Sequence, residues 1–415
     1  MAIASNGDTE NPDDRPVWAR DDWCPIKPFE ADYGVIDSKG GQHYASDESQ
    51  FVEKVTKLRL GIDLVWTPES DHLVVPEAVP ALYKVIRKRQ KNFAIRDALD
   101  GKRMSLVFGI AVLWTSYSSW RNGGGSVEAL YKSQLTGLSV LLLFIFGLLP
   151  LYESWKVRRR LATTKSTDLV VEIPEAQFDI WLQRCRVPVT YFLLACLICV
   201  SLAQHYVDWK AVGMKPSLLS AGLLKQQALN FPEIADGAAQ WRMLTAPLLH
   251  GNIIHLMMNA SGILYLGRRT ESLARWPHLV MVFFVSAWVG GVASFYWIPN
   301  KIAVGASGGL LGLLGFMLVF EKIHPHLVPK LAQRRLLAGL LLMMIIGFIG
   351  MSFIDNAAHA GGLLAGMAYA AIIFPKSASF HRPRAITQDK ILGALTVLVI
   401  FTTTIWTCAQ IVGEL

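Results

Sequence analysis

The chain has 415 residues, of which 52% are hydrophobic and 17% are charged. An average soluble domain has about 25% charged residues, so this composition argues against an ordinary soluble protein and indicates a chain that lies largely in lipid. The formal net charge is +8. Its basic residues form short clusters beside apolar runs, where they act as orientation signals. We therefore expect the lipid bilayer as the chain's environment and no nucleic-acid partner.

The first part of the chain, residues 1–100, contains no apolar run long enough to cross a bilayer. Its opening segment is polar and acidic, without the basic start and apolar stretch of a cleavable signal peptide. The mixed composition that follows predicts a small cytoplasmic N-terminal domain, whose role the sequence does not indicate. The basic sequence of residues 81–103 predicts a helix that lies against the membrane surface.

Apolar runs of the length that crosses a bilayer, about 20 residues, recur from residue 104 to the end. We predict two additional transmembrane helices within 101–155, six in 187–374 and one more at 390–412. The individual spans are predicted at residues 104–120, 135–152, 187–206, 248–267, 278–297, 304–320, 336–353, 356–374 and 391–412. The connection at 207–247 is rich in Trp and Leu, and we expect part of it to lie half sunk in the outer leaflet.

The connections on one predicted face carry about four times as many Lys and Arg residues as those on the other. By the positive-inside rule, this asymmetry predicts a cytoplasmic N-terminus and an external C-terminus.

The cysteines indicate neither a disulfide framework nor a metal site, because they are scattered along the chain: Cys24, Cys185, Cys196, Cys199 and Cys408. We expect no cofactor and no metal.

Ser307 is a candidate nucleophile. It lies in a Gly-X-Ser-Gly sequence at 305–308, where a short connection enters a span. Small neighbours give a hydroxyl open approach, and free N–H groups at a helix start can bind an oxyanion. Small residues also crowd membrane helix interfaces for packing reasons alone, so both interpretations stay open.

His359 is a candidate general base, because an ionisable side chain near the start of a span is costly unless it has a function. A buried histidine bonded to a helix carbonyl is the alternative. Glycines recur on one face of each of the two candidate spans: Gly308, Gly312 and Gly315 with Ser307, and Gly362 and Gly366 with His359. Such faces predict close helix packing, which would bring the serine and the histidine together.

His255 and Asn259 are four residues apart on one face of the span at 248–267. Their side chains could stabilise an oxyanion. They could equally form hydrogen bonds between helices.

These residues together resemble the rhomboid family of intramembrane serine proteases. The resemblance covers about residues 187–374 and rests on Trp241-Arg242, His250, His255, Asn259, Glu271, Gly305-Ala306-Ser307-Gly308 and His359-Ala360-Gly361-Gly362. It implies an all-α polytopic membrane protein with a rhomboid-like six-helix core, here with extra transmembrane helices on both sides. It also implies an outward-opening cavity in which a Ser307–His359 dyad hydrolyses peptide bonds in or near transmembrane segments of membrane-protein substrates.

The resemblance further implies oxyanion stabilisation by Asn259, His255 and the backbone N–H of Ser307. One departure is Leu311, which stands where the family commonly has an aromatic residue that packs on the catalytic imidazole. We therefore expect a slower or differently tuned enzyme. The last span fits variants with a seventh helix after the core.

Two polar groups near these spans have simpler interpretations. Asp355 could complete a Ser-His-Asp triad, but its position four residues before His359 favours a helix cap. Glu321, His324 and His326 lie at the cytoplasmic end of the serine span, and we expect solvated boundary residues there.

Other classes fit less well. The chain has no His-Glu-x-x-His sequence for a metalloprotease and no paired intramembrane aspartates for an aspartyl protease. A transporter would not require this set of side chains. The serious rival is a proteolytically inactive rhomboid relative that binds or escorts membrane clients. For location we expect a bacterial inner membrane, because no organelle-targeting presequence is evident.

Overall fold

The structure, a computed structural model, describes residues 15–20, 23, 24, 26–28, 30–58, 61–163, 165–212, 240–298, 303–351 and 354–413. The chain divides into two compact units. The N-terminal unit comprises Trp18–Gln183 and Leu342–Ile354, and the core unit comprises Arg184–Leu341, Asp355–Leu415 and Met1–Val17. Most of the connection predicted to lie half sunk in the membrane, residues 213–239, is outside the described residues.

The N-terminal unit begins with a small antiparallel sheet of order β2-β1-β3, formed by β1 (Tyr33–Asp37), β2 (Gln42–Ala45) and β3 (Ile62–Trp66). Helix α1 (Glu48–Lys57) is capped by Asp47, whose side chain accepts a hydrogen bond from the N–H of Gln50 at 2.8 Å. Val35, Phe51 and Val65 are fully buried between sheet and helix. The same buried cluster also contains Val79, Leu82, Ile86 and Leu169, so the sheet and α1 share a hydrophobic core with later parts of this unit.

Asp37 closes the turn between β1 and β2. Its carboxylate is hydrogen bonded to His43 Nε2 at 2.9 Å and accepts the N–H groups of Gly41 and Lys39. These hydrogen bonds, the one with His43 first, hold the pKa of Asp37 below its usual value.

Two long helices dominate the rest of this unit. They are α2 (Tyr83–Asn122), which is basic in its first half and apolar in its second, and α4 (Gln134–Thr163), which has a π-helical turn at Leu143–Leu148. The short α3 (Glu128–Lys132) lies between them, and a 3-10 segment, Ser166–Glu172, leads into α5 (Ile173–Arg184). The Ser154 hydroxyl on α4 donates to the Ala94 carbonyl on α2 at 2.5 Å, which fixes the pairing of the two helices.

Most of the described part of the core unit is helical. Its helices are α6 (Pro188–Val212), the short α7 (Arg242–Thr245) with a 3-10 turn at Ala246–Leu248, α8 (253–274, with a π-helical turn at Ile263–Gly267), α9 (Trp276–Trp297), α10 (Ser307–Ile323), α11 (Lys330–Ile349), α12 (Asn356–Ile373) and α13 (Thr387–Gly413). Helix α11 continues into the segment assigned to the N-terminal unit.

The chain is a polytopic, mainly α-helical membrane protein. Within its described part, six helices are long and apolar enough to cross a bilayer: α4, α6, α9, α11, α12 and α13. Of the other three predicted spans, 104–120 falls within α2, whereas 248–267 and 304–320 begin five and three residues before α8 and α10. Helix α10 has only 17 residues and is buried along most of its length, as the need to screen a short glycine-rich span from lipid predicts.

A carboxylate anchors the start of α6 to α8. Glu271 accepts hydrogen bonds from the Thr190 N–H at 2.8 Å, the Thr190 hydroxyl at 2.7 Å and the Val189 N–H at 3.1 Å. The side chain thus satisfies N–H groups that the first turn of α6 leaves without helical partners.

The interpretation of Glu321 and His324 as solvated boundary residues was wrong. Glu321 forms an ion pair with Arg269 at 2.6 Å, and both side chains are buried. His324 is also buried, with its ring stacked on Phe320. The end of a span contains buried charge here because helix α8 supplies an oppositely charged partner, which a pattern read along one helix does not reveal. His326 is exposed as expected.

Candidate active site

Ser307 and His359 lie side by side at the starts of two adjacent helices. Ser307 is the first residue of α10, and His359 lies in the first turn of α12. The distance between Ser307 Oγ and His359 Nε2 is 2.8 Å, and both side chains are half-buried. The imidazole can therefore accept the serine hydroxyl proton without any rearrangement.

The predicted glycine faces create this proximity. A methyl group on Gly366 would lie 1.8 Å from the Gly312 carbonyl oxygen, and one on Gly362 would lie 2.1 Å from the Gly308 carbonyl oxygen. One on Gly315 would likewise lie 2.2 Å from the Leu363 carbonyl oxygen. Side chains at these positions would hold α10 and α12 apart, so the glycine pattern correctly predicted the close packing of the two helices.

Gly305 brings the connection before Ser307 against the side chains of α8. Its φ is +113°, in the region that favours glycine. Its N–H donates to the Ala246 carbonyl at 2.9 Å. A methyl group on Gly305 would lie 2.6 Å from His255 Cε1 and 3.4 Å from Asn259 Nδ2. The two candidate oxyanion donors therefore lie beside the residue that comes two positions before the serine.

Asn259 is held by a chain of buried polar groups. Its Nδ2 lies 3.0 Å from His250 Nε2. The Gln204 side chain on α6 accepts the His250 N–H at 3.2 Å and donates to the His250 carbonyl at 3.3 Å. Because Gln204, His250 and Asn259 are all buried, these hydrogen bonds are not in competition with bulk water.

His255 is oriented at the start of α8. Asn252 caps that helix by accepting the His255 N–H at 2.9 Å. The His250 and His255 rings meet edge to face, with 5.2 Å between their centroids. The imidazole is therefore constrained on one side by another ring and on the other by Gly305.

Asp355 caps α12, as its position predicted. Its Oδ1 accepts the Ala358 N–H at 2.9 Å, and its Oδ2 accepts a hydrogen bond from the Ser294 hydroxyl on α9. Both oxygens are thus engaged by groups other than the His359 ring, which favours a dyad over a Ser-His-Asp triad.

Leu311 and Arg242, two further residues of the sequence pattern, are both buried. Leu311 is buried on α10, one turn after Ser307, and supplies no aromatic ring there. Arg242 is buried at the start of α7, the short helix that precedes α8 in the chain. Its guanidinium carbon lies 5.5 Å from the centre of the Trp241 ring. In the described part of the chain, no group of three or more His, Cys, Asp or Glu residues could hold a metal ion.

Sequence reasoning missed the supporting contacts of Gln204 and Ser294. Both are polar residues inside apolar helices, and such residues are expected to have partners. That signal identifies candidates but not partners, because Gln204 meets His250 and Ser294 meets Asp355 only after the chain has folded.

The comparisons with known proteins agree on one family. The family model described as "Rhomboid domain" matches residues 238–376. RHOMBOID-like protein 6, mitochondrial, from Arabidopsis thaliana is 36% identical over 148 residues, which are 35% of this chain and 48% of that protein. Rhomboid protease GluP from Bacillus subtilis (strain 168) is 30% identical over 143 residues, 34% of this chain and 28% of that protein.

A relative whose name describes it as inactive also matches. Inactive rhomboid protein 1 from Rattus norvegicus is 28% identical over 179 residues, 41% of this chain and 20% of that protein. The matched segment spans less than half the length of each of these relatives. The residues that the family model matches, 238–376, contain Asn259, Ser307 and His359, and this supports assigning that part of the chain to the rhomboid family.

Proposed function

We propose that the chain is an intramembrane serine endopeptidase with Ser307 as nucleophile and His359 as general base. The observation that carries this proposal is the distance of 2.8 Å between Ser307 Oγ and His359 Nε2, at the start of two glycine-packed helices. Sequence similarity to Rhomboid protease GluP also supports peptide-bond hydrolysis as the reaction.

In the acylation step, Ser307 Oγ attacks the carbonyl carbon of the substrate peptide bond while His359 Nε2 accepts the hydroxyl proton. Collapse of the tetrahedral intermediate breaks the C–N bond, and the imidazolium returns its proton to the leaving amine. The products of this step are an ester on Ser307 and a free amino terminus.

In the deacylation step, water attacks the ester carbonyl and His359 takes a proton from that water. The second tetrahedral intermediate expels Ser307 Oγ, which recovers its proton from the imidazolium. The net reaction is hydrolysis of one peptide bond, and the serine and histidine return to their starting states.

The negative charge on both tetrahedral intermediates requires donors near Ser307. As the first residue of α10, Ser307 has an N–H without a carbonyl partner in its helix. Asn259 Nδ2 carries two hydrogens, of which one can bond His250 Nε2 and the other can bond the oxyanion. His255 Nε2 faces Gly305 and is the third donor in this proposal.

The proposed substrates are membrane proteins, cut in or near a transmembrane segment. A helical peptide bond is protected by its own hydrogen bonds, so we expect local unwinding and helix-breaking residues near the cut. We propose that the site opens to the external face. The bacterial inner membrane stays a prediction, because the relatives come from a plant, a bacterium and an animal.

The second candidate function is client binding without hydrolysis. It is favoured by the similarity to Inactive rhomboid protein 1. The presence of both Ser307 and His359 at hydrogen-bonding distance argues against it, since a binding protein has no need for this pair.

Labelling with a fluorophosphonate serine probe separates the two candidates. We expect the detergent-solubilised natural chain to be labelled and to cleave a transmembrane substrate, and Ser307→Ala and His359→Ala to do neither. Ser261→Ala is the matched control, because this exposed hydroxyl donates to the Met257 carbonyl of its own helix and has no other partner among the described residues. A folded natural chain that is not labelled and retains clients stably would establish the binding function instead.

Asn259→Ala tests the oxyanion assignment. We expect kcat to fall by about 100- to 1000-fold, because one donor to the oxyanion is lost. Probe labelling should become slower but remain detectable. An unchanged kcat would remove Asn259 from the proposed oxyanion site.

A further inference from the structure

A side-chain hydrogen bond ties the first turn of α12, which carries His359, to helix α9. The Ser294 hydroxyl, fully buried on α9, donates to Asp355 Oδ2. The other oxygen, Asp355 Oδ1, accepts the Ala358 N–H at 2.9 Å. One carboxylate thus connects α9 to the backbone one residue before the histidine.

Close packing of α9 on α12 adds a second constraint on the same turn. A methyl group on Gly290 would lie 2.7 Å from the Ala358 carbonyl oxygen. A methyl group on Gly361 would lie 2.6 Å from Ala293 Cβ. Helix α9 therefore touches the backbone of α12 immediately before His359 and two residues after it.

This support is needed because a histidine in a first turn lies where a helix is least constrained. The first four N–H groups of a helix have no partners within it, so the ends of helices fray. A buried cap that is itself anchored to a neighbouring helix removes this freedom. The reaction depends on the position of His359 Nε2, and a displacement of about 1 Å can cost about 100-fold in rate.

We propose that Ser294 and Asp355 form a positioning clasp that holds the His359 imidazole against Ser307. The clasp acts through the backbone of α12 and does not touch the substrate. The inference rests on the proposed function, because it assigns the clasp to the geometry of that reaction. Asp355 acts by fixing the helix start, and its negative charge is not required.

The test compares Ser294→Ala, Asp355→Ala and Asp355→Asn in the full-length chain. We expect the two alanine variants to lose about 10- to 100-fold in kcat with KM nearly unchanged, because the imidazole is displaced and the substrate site is intact. Asp355→Asn should recover most of the activity, because its carbonyl oxygen can still accept the Ala358 N–H and its amide can still bond the Ser294 hydroxyl.

Ser286→Ala is the matched control. Ser286 is buried on the same helix, and its hydroxyl has no hydrogen-bond partner among the described residues. We expect its kcat to equal that of the natural chain. The midpoint of thermal unfolding, measured for every variant, separates loss of folded protein from loss of kcat per folded molecule.

A double variant, Ser294→Ala with Asp355→Ala, gives an independent readout. If the two residues act as one clasp, the double variant loses no more kcat than the worse single variant. The clasp would be overturned if the kcat losses of the two single variants multiply in the double variant, or if both single variants keep full kcat. The proposed function would still stand in that case, provided that Ser307→Ala is inactive. A charge effect would instead leave Asp355→Asn as slow as Asp355→Ala. If the natural chain itself lacks serine reactivity, the proposed function fails and the clasp fails with it.

Discussion

At the residue scale, both the backbone conformation at Gly305 and the geometry of the site depend on the absence of a Cβ atom at this residue. The residue has a positive φ, and the absence of a side chain lets His255 and Asn259 approach the connection before Ser307. Any larger residue would meet two problems at once. One is backbone strain of about 1–3 kcal/mol, and the other is overlap with the His255 ring.

Gly305→Ala tests this argument. We expect loss of cleavage by at least about 100-fold, because the added methyl group displaces the His255 ring and Ser307 shifts with the connection. Substrate cleavage and thermal unfolding are the measurements. Gly251→Ala is the control, since its added methyl group would meet no atom within 4 Å. Equal activity of the two variants would show that the close approach at Gly305 has no catalytic role.

The residues of the site were predictable to different degrees. Ser307 and His359 stand out because a polar group inside an apolar span needs a reason, and their glycine neighbours predict which spans meet. Glu321 was misinterpreted because its partner, Arg269, lies 52 residues earlier on another helix. Hydrogen-bond partners that are distant in sequence leave no local pattern.

At the scale of elements, the helices followed from the sequence and the sheet did not. Long apolar runs predict helices because a helix satisfies its own backbone groups in lipid. The strands β1, β2 and β3 have only five, four and five residues. Runs this short give too few alternations to separate a strand from a loop. The bounds of the predicted small N-terminal domain stay a prediction.

The α10–α12 interface supplies the prediction at this scale. Gly366→Ala places a methyl group 1.8 Å from the Gly312 carbonyl oxygen, so the two helices must separate. We expect a loss of about 1–3 kcal/mol in the free energy of unfolding. Cleavage should fall as well, because Ser307 and His359 belong to these two helices.

Gly339→Ala on α11 is the control for that experiment. Its added methyl group would meet no atom within 4 Å, and alanine is the better helix former. We expect stability that is unchanged or slightly raised, measured by thermal unfolding in the same detergent. A Gly366→Ala variant as stable and as active as Gly339→Ala would mean that the interface is looser than its glycines indicate.

At the scale of the whole molecule, the direction in which the site opens depends on how the chain crosses the membrane. Helices α10 and α12 are packed with Ser307 and His359 both near their N-terminal ends. The site therefore lies toward one membrane face, and water must reach it from that face. The excess of Lys and Arg on the opposite connections predicts that this face is external.

Reporter fusions test the orientation directly. With nine crossings and a cytoplasmic N-terminus, a fusion after Ser379, between α12 and α13, should lie inside, and a fusion after Leu415 should lie outside. Alkaline phosphatase is active only outside and green fluorescent protein only inside, so the two reporters should give opposite signals at each position. A fusion after Gly124, between the first two predicted spans, is the control for the outside signal.

If both main signals are reversed, the site opens to the cytoplasm, and substrates must present their cleaved bond there. If the two fusions report the same side, α13 does not cross the membrane despite its length and apolar composition.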